Sequence, residues 1–122
     1  NQDKEWTVLQ FAQGLSDSGA IRSASYGAPQ ILGSNYAMIG YASPQAMFTA
    51  FTSSIRAQFD GLVAFIQNAP TCLAGLRAKD FVKFAGCYNG PGQADAYGAN
   101  IQAAYNAYNS VVAQLGAGGP SP

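Results

Sequence analysis

"SPQAMFTAFTSSIRAQFDGLVAFIQNAP", residues 43–70, decides the fold class. Ser43 followed by Pro44 is a helix start: a hydroxyl that can accept a free backbone N–H, then a ring whose φ is preset for the first helical position. From there Phe48, Phe51, Ile55, Phe59, Leu62 and Ile66 recur every three or four residues, the period of a helix face rather than the alternation of a strand. Met47, Val63 and Phe65 widen that stripe. The spacing therefore predicts one long helix buried over much of its circumference, with Phe59 among its core residues. It should run to about Asn68 and stop before Pro70.

Outward from this helix the same rules place shorter ones. Trp6, Val8, Leu9, Phe11 and Leu15 predict a first helix of about three turns, ending near Gly14. "SDSGAIRSASYGAPQILG", residues 16–33, reads as turn-rich, with a short helix starting near Gly27. A further short helix is expected over residues 35–39, closed by Gly40. Downstream, Thr71 can cap a helix through Leu76, and Asp80 can cap a second over residues 81–88. After a Gly-Pro-Gly loop, Ile101, Tyr105, Tyr108 and Val112 mark a last helix. Residues 116–122, "GAGGPSP", have the composition of a flexible tail. No strand-like alternation persists. The expectation is an all-α domain over residues 1–115, built around the long central helix.

Composition narrows the function. Of 122 residues 48% are apolar and 10% charged, with six basic residues balancing six acidic ones. That is enough apolar surface for a core, and too little charge for a disordered tail. It also argues against nucleic acid, which needs a basic patch; only Arg77, Lys79 and Lys83 cluster. No apolar run approaches the ~20 residues of a membrane span. Histidine is absent, which removes His-based triads and His metal sites. The two cysteines, Cys72 and Cys87, are either one disulfide or two buried thiols. They lie near the ends of two consecutive short helices, a hairpin that can bring them together. A disulfide would imply a secreted or periplasmic setting. Seven Tyr among many Gly, Ala, Ser, Asn and Gln make a neutral polar surface suited to carbohydrate.

Two segments carry chemistry. In "RSASYGAPQI", residues 22–31, small residues and Gly27 let backbone approach a ligand, while Tyr26 and Gln30 offer donors and acceptors. In "YNGPG", residues 88–92, Tyr88 can stack on or hydrogen-bond a sugar, and Asn89 offers an amide donor and a carbonyl acceptor. Each also has a plain structural reading: Tyr26 and Tyr88 as half-buried core aromatics, Gln30 and Asn89 as backbone caps.

Together and in this order, Ser25, Gly27, Gln30 and Ile31, followed about 60 residues later by Tyr88-Asn89-Gly90-Pro91-Gly92, resemble the lysozyme-like lytic transglycosylases and muramidases. The chain is most similar to the N-acetylmuramidase domain of phage endolysins and bacterial cell-wall effectors. "IRSASYGAPQILGSNY", "GYASPQAMFTAF", "AQFDGLVAFI" and "LRAKDFVKFAGCYNGPG" carry the resemblance, from roughly residue 6 to residue 108. It implies a lysozyme-like fold, a C-terminal portion of such a domain, and a glycoside hydrolase acting on the β-1,4 MurNAc–GlcNAc bond of peptidoglycan. It also implies glycan-binding roles for Ser25, Tyr26, Gln30, Tyr88, Asn89 and Gly90, no metal or cofactor, and a secreted, periplasmic or phage-associated protein. Tyr26 stands where the family has Trp.

In that family a Glu acts as general acid from an apolar pocket. The resemblance puts it upstream of the block at Trp6, on an upstream segment or a partner chain. Within the sequence Glu5 is the one glutamate and a weak substitute; a first-turn helix charge is its alternative role. Asp17 is a second carboxylate or a turn residue. Three readings follow: a muramidase whose acid lies on another segment, a glycan-binding relative that does not cut, and a structural or interaction domain that keeps only the scaffold.

Overall fold

The computed structural model describes residues 1–117. In chain order it holds α1 (Gln2–Leu15), α2 (Asp17–Ser23), β1 (Ser25–Tyr26), β2 (Ile31–Leu32), α3 (Pro44–Ser53), α4 (Ile55–Asn68), α5 (Pro70–Ala78), α6 (Phe81–Asn89) and α7 (Ala94–Ala117). Single 3₁₀ turns span Gly33–Asn35 and Pro91–Gln93. The fold is all-α apart from two strands of two residues each. The chain divides into two compact units, Asn1–Asn68 and the remainder from Ala69.

The predicted central helix is two helices. Ser54 leaves the helical region for extended backbone at φ −150°, ψ 118°, between α3 and α4. Thr52, Ser53 and Ser54 offer hydroxyls that compete for backbone groups. The Ser53 hydroxyl donates to Thr49 O at 2.8 Å, and Ser54 Oγ accepts the Ala57 N–H at 3.2 Å, starting α4 as a cap does. Gln58 Nε2 donates to Phe51 O at 2.8 Å, occupying a carbonyl at the end of α3. The break divides the apolar stripe. Met47 and Phe51 are buried, whereas Ile55, Phe59 and Val63 are 67%, 56% and 52% exposed. Phe59 is therefore not a core residue, and the expectation that it was fails.

Ile21, Tyr26, Ile31, Ile39, Met47 and Phe51 form the core of the first unit, with Leu9, Phe48 and Phe65 packed against it. Each such side chain contributes about 1.5–3 kcal/mol by leaving water. The segment read as turn-rich holds α2, which Ser16 caps by accepting the Gly19 N–H at 3.2 Å. In place of the helix expected near Gly27 stands a hairpin pairing Ser25 with Leu32 and Tyr26 with Ile31, antiparallel. Gly27 and Gln30 have φ of +72° and +54°, which a continuing right-handed helix excludes. Gly33 closes the hairpin: a Cβ there would lie 1.9 Å from Ile21 O. Residues 36–40 form turns rather than a helix, ending at Gly40 with φ +91°.

In the second unit α5 and α6 form a hairpin that packs with α7. Asp80 caps α6 as expected, accepting the Lys83 N–H at 3.0 Å. Thr71 does not cap α5; Pro70 takes the first helical position, so the helix begins before it. Cys72 and Cys87 are joined by a disulfide with Cα atoms 5.4 Å apart. Close approach needs glycine on both sides of α6: a Cβ on Gly75 would lie 2.8 Å from Phe84 N, and one on Gly98 equally near Val82 Cα. Phe81 meets Tyr105 of α7 at 5.5 Å between ring centroids, and the Lys79 ammonium lies 5.3 Å from the Tyr105 centroid. Residues 116 and 117, read as the start of a tail, still belong to α7; the rest of that tail lies outside the described residues.

Candidate functional site

The β1–β2 hairpin brings three of the sequence-selected residues to one place. Ser25, Tyr26 and Gln30 line a cavity of about 260 Å³ in the first unit, together with Glu5, Trp6 and Leu9 of α1. A larger cavity of about 600 Å³ runs along α1 and α2, lined by Val8, Leu9, Ala12 and Ala20 among others. Its walls are mostly apolar. The smaller cavity is the better candidate, because an amide, a carboxylate, a hydroxyl and an indole converge on it.

Helix formation in α1 sets two of these groups. Asn1 caps the helix by accepting the Asp3 N–H at 3.2 Å, which fixes Glu5 in the first turn and Trp6 beside it. Trp6 is 47% exposed and packs edge-on to Phe48, 6.1 Å between centroids. Glu5 is exposed, so its carboxyl lacks the apolar enclosure that holds a general acid protonated. The same holds for every other carboxylate among the described residues, each of which is exposed. Asp17, read as a second carboxylate or a turn residue, is engaged by two amides: Gln13 Nε2 and Gln45 Nε2 each donate to it at 2.9 Å.

The turn of the hairpin orients Gln30. Its backbone N–H and its Nε2 both donate to Gly27 O, at 3.1 and 2.9 Å, which anchors the amide by its nitrogen. Its Oε1 accepts no hydrogen bond among the described residues and is the amide's available acceptor. From α4, Gln58 Oε1 accepts the Ala28 N–H at 2.8 Å. Tyr26 points its ring into the core, 8% exposed and edge-on to Phe48 at 5.2 Å. Its hydroxyl is buried without a hydrogen-bond partner. Burial, and then the charge of Asp17, raise the phenol above its usual range. Ser25, its neighbour on β1, is exposed.

Tyr88, Asn89 and Gly90 belong to the second unit, at the C-terminal end of α6. Tyr88 is half-buried and stacks on Phe84, 5.5 Å between centroids, and burial raises its phenol. Asn89 is exposed, and its side chain makes no hydrogen bond among the described residues. Gly90 ends the helix at φ +89°, ψ 160°, a conformation essentially confined to glycine. Trp6 and Gln58 were not singled out by sequence reasoning. Trp6 entered the sequence analysis only through the spacing of the first helix, which does not say that it stands half-exposed at a cavity. Gln58, a polar residue one place from the apolar stripe, had no signal without the break at Ser54.

Among the described residues no group of three or more His, Cys, Asp or Glu is arranged to hold a metal ion. No described helix is long and apolar enough to cross a membrane.

The sequence profile of the N-acetylmuramidase family matches residues 1–109, a stretch that includes α1 and Glu5. No protein of curated function matches the chain in sequence. Among solved structures, the endolysin of the Burkholderia phage AP3 superposes with a TM-score of 0.83 at 31% identity. The match covers 89% of this chain and 42% of that one, so the chain spans less than half the length of that endolysin.

Proposed function

The chain belongs to the N-acetylmuramidase family, and from that premise we propose that residues 1–115 bind a peptidoglycan glycan strand as part of a hydrolase cutting the β-1,4 MurNAc–GlcNAc bond. One observation carries the reading: Glu5, Trp6, Ser25 and Gln30 converge on a single cavity of the first unit. The exposed face of Trp6 is a stacking surface for the apolar face of a sugar ring, a contact that combines area with a fixed orientation. Gln30 Oε1 accepts the N–H of an N-acetyl group, and the Ser25 hydroxyl and Glu5 carboxylate take sugar hydroxyls. Taken by itself, the second unit offers the exposed Asn89 amide as a separate glycan contact, with Gly90 shaping its loop and Tyr88 behind it on Phe84. Tyr26 acts from the core, holding β1.

Bond cleavage needs a protonated carboxylic acid at the leaving oxygen. Since every described carboxylate is exposed, we assign the acid to a segment or chain outside residues 1–117, and glycan binding to the residues within. No metal or organic cofactor is required for carboxylate chemistry of this kind. The Cys72–Cys87 disulfide fits an oxidising site of action at the cell wall, secreted, periplasmic or phage-borne.

The test is co-sedimentation with purified insoluble peptidoglycan, with soluble muropeptides followed by mass spectrometry. Trp6→Ala and Gln30→Gly should weaken binding at least about tenfold, one good contact's worth, while each variant remains folded at the assay temperature by circular dichroism. Glycine keeps the positive φ that position 30 requires, so the second variant removes the side chain without straining the turn. Equal binding by wild type and both variants would sink the cavity assignment. Reducing-end MurNAc products released by this chain alone would move the acid back to one of its own carboxylates, Glu5 first.

A further inference from the structure

The structure assigns Gln58 of α4 a positioning role for this cavity, an inference that rests on the glycan-binding reading above. Gln58 does not line the cavity. Its amide joins two backbone groups that the fold otherwise leaves without partners. Nε2 donates to Phe51 O, the carbonyl exposed where the helix breaks at Ser54, and Oε1 accepts the Ala28 N–H inside the hairpin turn, both at 2.8 Å. The fit is close: a Cβ on Gly27 would lie 2.7 Å from Gln58 Cδ and Oε1. The turn so held contains Gly27 and Gln30, both at positive φ and both at the cavity wall. Gly27 O is in turn the acceptor for the Gln30 amide. A continuous chain of hydrogen bonds thus runs from the end of α3, through Gln58, to the turn that aims Gln30 Oε1.

The position demands one donor and one acceptor at once, which a side-chain amide of this length supplies whatever the pH. An ionised glutamate keeps the bond from Ala28 N–H but sets a negative oxygen against Phe51 O. A protonated glutamate restores both bonds, its O–H donating to Phe51 O. Methionine fills the space and makes neither. The charged groups nearest on α4, Arg56 and Asp60, are exposed and pair with each other at 3.6 Å. Around the hairpin the charged groups are Glu5, at the cavity wall, and Asp17, held by Gln13 and Gln45, and both are present in wild type and variants alike.

The experiment compares Gln58→Glu, Gln58→Met and wild type for sedimentation with purified peptidoglycan between pH 4 and pH 7.5. Affinities are expressed as variant-to-wild-type ratios, so that any effect of pH common to both proteins cancels. Melting temperatures and hydrogen-exchange protection of the Ala28 amide are followed in parallel. The expected result is Gln58→Glu weakened about tenfold at pH 7.5, recovering to within about twofold of wild type at pH 4, and Gln58→Met weakened at both. Ala28 protection should fall in Gln58→Met and recover with acid in Gln58→Glu. Ratios near one throughout overturn the assignment, as does a loss of binding that tracks melting temperature alone in both variants at both pH values. If wild type binds no glycan, the functional reading fails by itself. The Ala28 amide then still decides, since unchanged protection in Gln58→Met overturns the positioning role.

Discussion

Cutting the Cys72–Cys87 disulfide should cost the second unit about 3 kcal/mol, the loop-closure value for a cross-link of this span. The bond closes a loop with a sequence separation of 15. Its effect is large for this unit because the buried side chains there are few: Cys72, Phe81, Phe84 and Ala85. A core of that size contributes only a few kcal/mol net, so a cross-link is a major share of the total. Cys72 is 0% exposed, so the variant of choice is the double Cys72→Ala, Cys87→Ala, which buries no hydroxyl. Urea denaturation should be followed by near-UV circular dichroism of the tyrosines, of which Tyr88, Tyr97, Tyr105 and Tyr108 lie in the second unit. The fluorescence of the single Trp, Trp6, separates the transition of the first unit and its Tyr26, Tyr36 and Tyr41. With a slope of about 1.5 kcal/mol per molar urea, the midpoint of the tyrosine transition should fall by about 2 M. Wild type reduced with a dithiol should fall equally, because the two new thiols keep the packing and lose only the bond. A shift below about 0.3 M in both cases would refute the reasoning. A shift in the alanine pair but not in reduced wild type would transfer the effect from the cross-link to packing at Cys72.

Two further contrasts test the placement of side chains. Phe51→Ala should destabilise by about 3–5 kcal/mol, whereas Phe59→Ala, on the same predicted stripe but 56% exposed, should cost less than about 1 kcal/mol; thermal or urea melts of the two variants decide. At the end of α6, Gly90→Ala should cost about 1–3 kcal/mol although open space surrounds the new methyl, because φ +89° strains any residue with a Cβ. Its neighbour Asn89→Ala should stay within about 0.5 kcal/mol of wild type while weakening peptidoglycan binding. A large loss of stability in Asn89→Ala would make that residue a structural cap instead.

Much of the helical content was legible because helices announce themselves twice, by period and by cap. Ser43-Pro44 and Asp80 start α3 and α6 where the residue types say they should. The break at Ser54 was hidden because the apolar spacing keeps its phase across it, from Phe51 to Ile55 to Phe59. A periodicity argument sees only the side-chain pattern, and the competition is between backbone and hydroxyls. Thr52-Ser53-Ser54 was the available signal, and it weighs little against six aligned apolar residues. The hairpin was hidden for a different reason. Strands of two residues give one buried and one exposed position each, Tyr26 against Ser25 and Ile31 against Leu32, too few for an alternation to register. Gly27 was read as the start of a helix and a place of close backbone approach, and nothing in the sequence says that Gln30 also takes a positive φ.

The candidate site depends on those two irregularities. Were α3 and α4 one helix, Phe51 O would be the acceptor for Ile55 N–H, and Gln58 Nε2 would have no carbonyl to hold. Were residues 27–31 helical, Gly27 O would accept a helical N–H instead of the Gln30 side chain, and no turn would stand at the cavity wall. The groups with the right chemistry, Gln30 above all, can be named from the sequence. Their arrangement cannot, because each is fixed by a backbone group that regular structure would have consumed. A helical domain satisfies most of its carbonyls and N–H groups internally and leaves few to aim at a ligand. Breaking the helix at Ser54 and turning the chain at Gly27 leaves backbone groups that three amides, Gln58, Gln30 and the peptide of Ala28, assemble into one support. Loss of any of the three should therefore be felt at the cavity before it is felt in the core.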